Sequence, residues 1–276
     1  MIPRSYGCNF AAISSPLRLA YGAESLQFGE LYVPKGSDPH PVVILIHGGF
    51  WRAAYRLTLM QRLAENLVHR RIAVWNVEYR CVGDAGGGWP GTLQDVARAT
   101  DYLATLAPTY ALDLTHVVPV GHSAGAQLVL WLAARSRLPE KSELTVSDTP
   151  LSLAGAVSLA GASDLKLVWH LNLGQGAVAE FLGGCPGEVP ERYATASPAA
   201  LLPLGIPQVL IHGKRDDLIP PTVSQEYAQK AALAGDCVRL IELPGADHFV
   251  LIDPASAAWG ITIAEIQNLL NGREMR

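Results

Sequence analysis

Three kinds of side chain that together perform nucleophilic acyl chemistry follow one another along this chain. Ser123 lies in "VVPVGHSAGAQLVLWLAA", Asp216 and Asp217 in "QVLIHGKRDDLIPP", and His248 in "LIELPGADHFVLIDP". A serine hydroxyl is a weak nucleophile at neutral pH, so it needs a base to take its proton, and the base needs an acid to orient it. Gly121-His122-Ser123-Ala124-Gly125 is a G-x-S-x-G pattern placed where an apolar strand-like run passes directly into a helical pattern, the context that gives such a match its meaning. Small residues are needed there for a physical reason. The turn forces the serine into a strained backbone conformation, and strand and helix pass too close for side chains at 121 and 125. The hydroxyl then projects at a helix N-terminus, where backbone N–H groups favour developing negative charge. A serine N-cap in a Gly-rich turn would share this local pattern, but it would not require an acid and a histidine after later strands.

These residues need a scaffold, and the pattern around them supplies one. Of 276 residues, 49% are apolar and 17% charged, a composition that buries a sizeable core in one domain. "PVVILIHGG", "RIAVWNVEYR", "THVVPVGH", "LAGAVSLAG", "PQVLIHG" and "CVRLIELPG" read as strands buried on both faces. Helical periodicity separates them at 56 to 70, 92 to 106, 123 to 135, 221 to 234 and 254 to 271. Strand and helix in alternation predict an α/β fold, a mostly parallel sheet with helices on both faces. "ESLQFGELYVP" alternates from Leu26 to Val33 and reads as a half-exposed strand at an antiparallel edge. No repeat or linker divides residues 1–276. The segment 163–204 has short helical stretches and no strand, and reads as a small cap or lid insertion.

A formal net charge of −4 without long Lys/Arg runs speaks against nucleic acid or an anionic membrane as partner. A small neutral molecule fits better, and homo-oligomer formation stays open. Cysteines 8, 81, 185 and 237 are scattered, which indicates reduced thiols rather than a zinc site or disulfide framework. The N-terminal "MIPRSYGCNFAAISSPLRL" has no basic segment followed by an apolar core, and no run of about 18 apolar residues occurs. A cytoplasmic location is therefore expected. No metal-ligand spacing such as H-E-x-x-H is present, and the chemistry needs no cofactor. "GDAGGGWPGTLQD" is glycine-rich but lacks a phosphate-loop pattern, so it reads as a connection into a helix.

With Ser, Asp and His in that order, and "ILIHGGFW" ahead of them, the chain resembles the α/β-hydrolase family along nearly its whole length. The resemblance implies that Ser123 is the nucleophile, His248 the base and Asp216 the orienting acid. His212-Gly213-Lys214-Arg215-Asp216-Asp217-Leu218-Ile219-Pro220 fits the family's H-G-x-x-D-x-x-[VI]-P pattern with Asp216 in the acid position. Asp217 is then a solvated turn residue. Asp247, adjacent to His248, is expected to point away from it. The family's H-G-G-type loop implies oxyanion donors at the amides of Gly49, Phe50 and Ala124. The H-G-G-x-W form resembles small bacterial carboxylesterases and the kynurenine formamidase branch.

The implied activity is hydrolysis of small, short-acyl carboxylic esters through an acyl-enzyme, with acyl chains of roughly two to four carbons favoured. The alternative is an arylformamidase acting on N-formylkynurenine. A non-catalytic binding protein on the same fold is the third reading, because fold alone does not fix function. His47 and Trp51 read as structural, and His122 and His212 as packing or hydrogen-bonding residues. Trp89, Trp169, His170 and Phe181 read as packing first and as substrate contacts second.

Overall fold

Strands that are apolar on both faces must be covered on both faces, and the arrangement of the chain follows from that requirement. The computed structural model describes residues 15–36 and 38–273. Cys8 and the first 14 residues of the N-terminal stretch considered for a targeting signal lie outside the described residues. The strands are β1 (Leu17–Ala20), β2 (Phe28–Tyr32), β3 (His40–Ile46), β4 (Ala73–Val77), β5 (Leu112–His122), β6 (Ala156–Leu159), β7 (Gln208–Gly213) and β8 (Val238–Leu243). They form one sheet in the order β1-β2-β4-β3-β5-β6-β7-β8. β2 pairs antiparallel with β1 and β4, and all pairings from β4 through β8 are parallel.

Side chains alternate across each strand. Val42, Ile44 and Ile46 of β3 face one core, while Val43 and Leu45 face the other. Helices α1 (Gln61–Val68) and α9 (Ala257–Leu270) cover the Val43 side, where Trp259 is fully buried. The opposite face is covered by α2 (Gly91–Asp101), α3 (Leu103–Tyr110), α4 (Ala124–Ala133) and α8 (Thr222–Leu233), with Trp75 and Trp131 buried among them.

Two expectations need adjustment. The strand from Leu26 to Val33 is not the sheet's edge; β1 lies outside it, with three of its four residues exposed. A strand that buries so little carries no alternation to read. The single helix expected at 92 to 106 is interrupted at Tyr102 and runs on to Tyr110, past Pro108.

Between β6 and β7 stand α5 (Leu165–His170), α6 (Ala177–Leu182) and α7 (Pro190–Ala196), with no strand. Their buried residues Leu165, Val168, Phe181, Leu182 and Tyr193 join the core on the α4 side. Trp131 Nε1 and Gln127 Nε2 of α4 donate to the carbonyls of Thr195 and Ala196, at 2.9 and 2.8 Å. The segment is knit into the domain through the helix that follows Ser123.

Candidate active site

Ser123 stands between the end of β5 and the start of α4 at φ 56° and ψ −119°. Such a conformation costs a non-glycine residue about 1–3 kcal/mol and persists only where the surroundings enforce it. They do so by contact. A Cβ on Gly121 would lie 2.2 Å from Gly125 O, and a Cβ on Gly125 would lie 2.2 Å from Ile46 O and 2.4 Å from His47 O. Both glycines are thus required by the close passage of β3, β5 and α4.

Asp216 sits on the loop after β7 and His248 on the loop after β8, both buried. His248 Nδ1 donates to Asp216 Oδ2 at 2.6 Å. Asp216 Oδ1 accepts from the N–H groups of Leu218 and Ile219 at 3.0 and 2.9 Å. His212 Nε2 adds a contact to Oδ2 at 3.3 Å while donating to Ile219 O at 2.8 Å. Burial alone would raise the Asp216 carboxyl, but the hydrogen bonds from His212, His248 and Ile219 outweigh it and hold the group well below the ordinary carboxylate range. The acid therefore stays ionised and keeps the Nδ1 proton of His248 in place, leaving Nε2 free to accept.

The neighbouring carboxylates are elsewhere engaged. Asp217 is exposed. Asp247 Oδ1 accepts from the N–H groups of Phe249 and Val250, at 3.0 and 2.9 Å, and so fixes the turn that carries His248. His122 Nε2 donates to the backbone carbonyl of His248 at 2.9 Å, consistent with a hydrogen-bonding residue. Burial, then the nearby His248 ring, push His122 down to about 3.

The loop after β3 turns through Gly49 at φ 119°, Phe50 at 52° and Trp51 at 57°. Among the described residues, no backbone carbonyl takes the N–H of Gly49, Phe50 or Ala124. Trp51 is packing, as expected: it stacks on Phe181 at 4.7 Å and its Nε1 donates to Gln127 Oε1 at 3.0 Å.

Ser123, His122 and His248 line a small cleft with Gly49, Phe50, Tyr55, Leu59, Leu218 and Phe249. It offers about 40 Å³ to the centre of a water-sized sphere. Larger hollows lie elsewhere; one of about 590 Å³ is lined by Trp169, His170 and Lys230 and by none of Ser123, Asp216 and His248. The small cleft is the hollow that Ser123 and His248 line together. Of the four aromatic or histidine side chains weighed as substrate contacts, none lines it. Phe181 backs Trp51, Trp89 Nε1 donates to Glu143 Oε1 at 3.1 Å, and Trp169 and His170 face the other hollow.

Sequence reasoning missed the cleft walls Tyr55, Leu59, Leu218 and Phe249, whereas His212 is the hydrogen-bonding residue expected, bonded to Ser224 Oγ and Ile219 O and in contact with Asp216. Each wall residue stands beside a motif that was read: Leu218 two residues after Asp216, Phe249 next to His248, Tyr55 and Leu59 shortly after the glycine loop. His212 opens the very pattern that contains Asp216.

Among the described residues, no group of three or more His, Cys, Asp or Glu is placed to hold a metal ion, and no helix is long and apolar enough to cross a membrane. The family model BD-FAE matches residues 30–231. A relative from Oryza sativa subsp. japonica, named a probable isoprenylcysteine alpha-carbonyl methylesterase, is 28% identical over 245 residues, covering 83% of this chain and 56% of that protein. The chain thus spans about half the length of this curated relative. Esterase B from Lactobacillus rhamnosis superposes with a TM-score of 0.80 at 20% identity, over 92% of this chain and 84% of that one. A bifunctional protein of Bacteroides eggerthii gives a TM-score of 0.79 at 20% identity, over 94% of this chain and 36% of that one. At these identities the two structures establish a common fold.

Proposed function

The chain belongs to the BD-FAE family, and from that membership and the geometry of its site we propose that it is a serine hydrolase cleaving small, short-acyl carboxylic esters. One observation carries the reading. A strained serine and a histidine whose Nδ1 proton is committed to a buried carboxylate line the same cleft.

In this reading Ser123 Oγ attacks the ester carbonyl while His248 Nε2 takes its proton, and Asp216 stabilises the imidazolium that forms. The oxyanion rests on the amides of Gly49, Phe50 and Ala124, N–H groups that no backbone carbonyl among the described residues takes. Collapse breaks the C–O bond to the leaving alcohol, and His248 returns the proton to it. Water, deprotonated by the same histidine, then releases the acid from Ser123.

The cleft supports a short acyl group, because Phe50, Tyr55, Leu59, Leu218 and Phe249 close it after little volume. Tyr55, Leu218 and Phe249 are 44%, 38% and 51% exposed, and so give the mouth an apolar rim for the alcohol portion. We read the segment 163–204 as a cap that buttresses the loop from behind: a Cβ on Gly174 would lie 2.5 Å from the Phe50 ring, yet no residue of the segment lines the cleft. Ester chemistry also agrees with the names of the rice relative and of esterase B. The formamidase alternative rests on the H-G-G-F-W loop and the G-H-S-A-G turn alone.

Rates on p-nitrophenyl acetate, butyrate and octanoate beside N-formylkynurenine test the proposal. The highest kcat/KM is expected on acetate or butyrate. Preference for octanoate would overturn the short-acyl reading, and faster turnover of N-formylkynurenine would replace ester by formamide.

A further inference from the structure

Behind the glycine loop lie two buried titratable groups that the triad does not use. His47 follows β3 and Glu78 follows β4, at 0% and 2% exposure. His47 Nδ1 is 2.8 Å from Gly48 O, and Nε2 is 3.2 Å from Glu78 Oε1. A carbonyl oxygen only accepts, so Nδ1 carries a proton. Leu57 N–H donates to Glu78 Oε2 at 3.1 Å and Tyr79 N–H to Oε1 at 3.2 Å, while the Arg56 guanidinium, bonded to both oxygens of Asp84 at 2.8 Å, lies 3.8 Å from Oε1. Two backbone donors, with a guanidinium close by, favour the ionised carboxylate, and an ionised carboxylate 3.2 Å from Nε2 requires a proton on that nitrogen as well. The Tyr79 ring lies over the imidazole at 4.3 Å and 12°, a face-on arrangement that suits a cation. Tyr79 Oη also donates to His47 O at 2.8 Å, which fixes the histidine's backbone.

The consequence runs through one peptide bond. Gly48 C=O and Gly49 N–H belong to the same planar unit and point in opposite directions. A charged donor on that carbonyl orients the peptide and polarises its N–H, because hydrogen bonds in series strengthen one another. We infer that Glu78 holds His47 as an imidazolium, and that this buried pair positions and polarises the Gly48–Gly49 peptide to make Gly49 N–H a stronger oxyanion donor. His47 and Glu78 are positioning residues, and their effect on rate rests on the serine hydrolase reading above. Burying an ion pair is costly unless it is well bonded, and here every polar atom of both side chains has a partner. Glu78 also holds Leu57, within the stretch that contributes Tyr55 and Leu59 to the cleft, so a purely structural role would disturb substrate binding first.

Nitrogen NMR of ¹⁵N-histidine in the whole protein at neutral pH, with His47 assigned through its own backbone, reads the protonation directly. Two ring N–H groups on His47 are expected, and a neutral ring overturns the inference. In parallel, Glu78→Gln is expected to lower kcat on p-nitrophenyl acetate about tenfold with KM changed less than twofold, and Glu78→Asp to recover part of the loss. An unchanged kcat, or a change confined to KM, overturns it too. Should Glu78→Gln fail to fold, the spectrum of the wild type decides alone. Ser123→Ala separates the two levels: if that variant still turns over ester, the hydrolase reading fails, whereas the His47 spectrum stands or falls independently of it.

Discussion

Replacing Asp216 by Asn keeps the shape of the side chain and reverses the sense of one hydrogen bond. The amide oxygen of Asn can still accept from the N–H groups of Leu218 and Ile219, as Oδ1 does now. Its NH₂ then faces His248 Nδ1, where the carboxylate oxygen lies at 2.6 Å, and His212 Nε2, where it lies at 3.3 Å. Two donors cannot share the shorter contact. His248 resolves the conflict by moving its proton to Nε2, and the nitrogen that should receive the Ser123 proton is then occupied. A wrong tautomer costs on the order of 10⁴ in kcat, or about 5.4 kcal/mol of barrier. Stability should fall much less, by about 1–2 kcal/mol, since hydrogen bonds to a charge are replaced by neutral ones.

The charge also sets a sign. Burial alone would raise the Asp216 carboxyl, but hydrogen bonds hold its folded pKa below the unfolded value, so its contribution is full above the unfolded pKa of about 3.9 and is lost as pH falls through the folded one. The stability difference between wild type and Asp216→Asn should therefore be constant at neutral pH and shrink only in strong acid. Steady-state hydrolysis of p-nitrophenyl acetate and urea denaturation measure both effects. Asp217→Asn is the control, because Asp217 is exposed, and its kcat should stay within twofold. A folded Asp216→Asn variant within tenfold of wild type, or a larger loss from Asp217→Asn, would refute the reasoning.

Three further outcomes follow from the same contacts. Gly125→Ala places a Cβ 2.2 Å from Ile46 O and 2.4 Å from His47 O, so α4 must move off β3. A loss of about 1–3 kcal/mol is expected in thermal melting, and an unchanged Tm contradicts the close-approach requirement. His122 is pushed down to about 3 by burial and by His248, whereas the unfolded chain protonates near 6.5. Between those values the unfolded state binds the extra proton, so stability drops as pH falls, by up to about 1.4 kcal/mol per pH unit from this group. Urea midpoints of His122→Gln should show a flatter dependence, with His40, lowered by burial in the same sense, keeping part of it; an unaltered slope counts against the assignment. Leu59→Ala enlarges the cleft wall and should raise the butyrate-to-acetate ratio of kcat/KM by a factor of about four per methylene accommodated. No change in the ratio would show that Leu59 does not limit acyl size.

The residues legible in the sequence are those whose types are forced by backbone geometry. Gly121 and Gly125 announce a close crossing, which a one-dimensional pattern records well because any side chain is excluded. The buried strands were legible for a similar reason, since β-branched runs such as Val42 to Ile46 suit only a sheet covered on both faces. β1 was not legible: Leu17–Ala20 buries almost nothing, and only its pairing to Phe28–Leu31 makes it a strand. The cleft walls were not legible either. Tyr55, Leu59, Leu218 and Phe249 are ordinary apolar residues until folding brings three separate connections to one point. His47 and Glu78, 31 positions apart, gave no sign of their contact, because parallel neighbours β3 and β4 set that distance. A single histidine in a motif does not reveal which acceptors its two nitrogens will meet.

The central claim is that Ser123 forms a covalent acyl-enzyme, and a fluorophosphonate tests it most directly. Intact-mass analysis and peptide mapping after treatment should show one adduct per chain, on Ser123, appearing in step with loss of ester hydrolysis and absent from Ser123→Ala. An adduct on another residue, or a Ser123→Ala protein that is folded and hydrolyses esters at the wild-type rate, would contradict it.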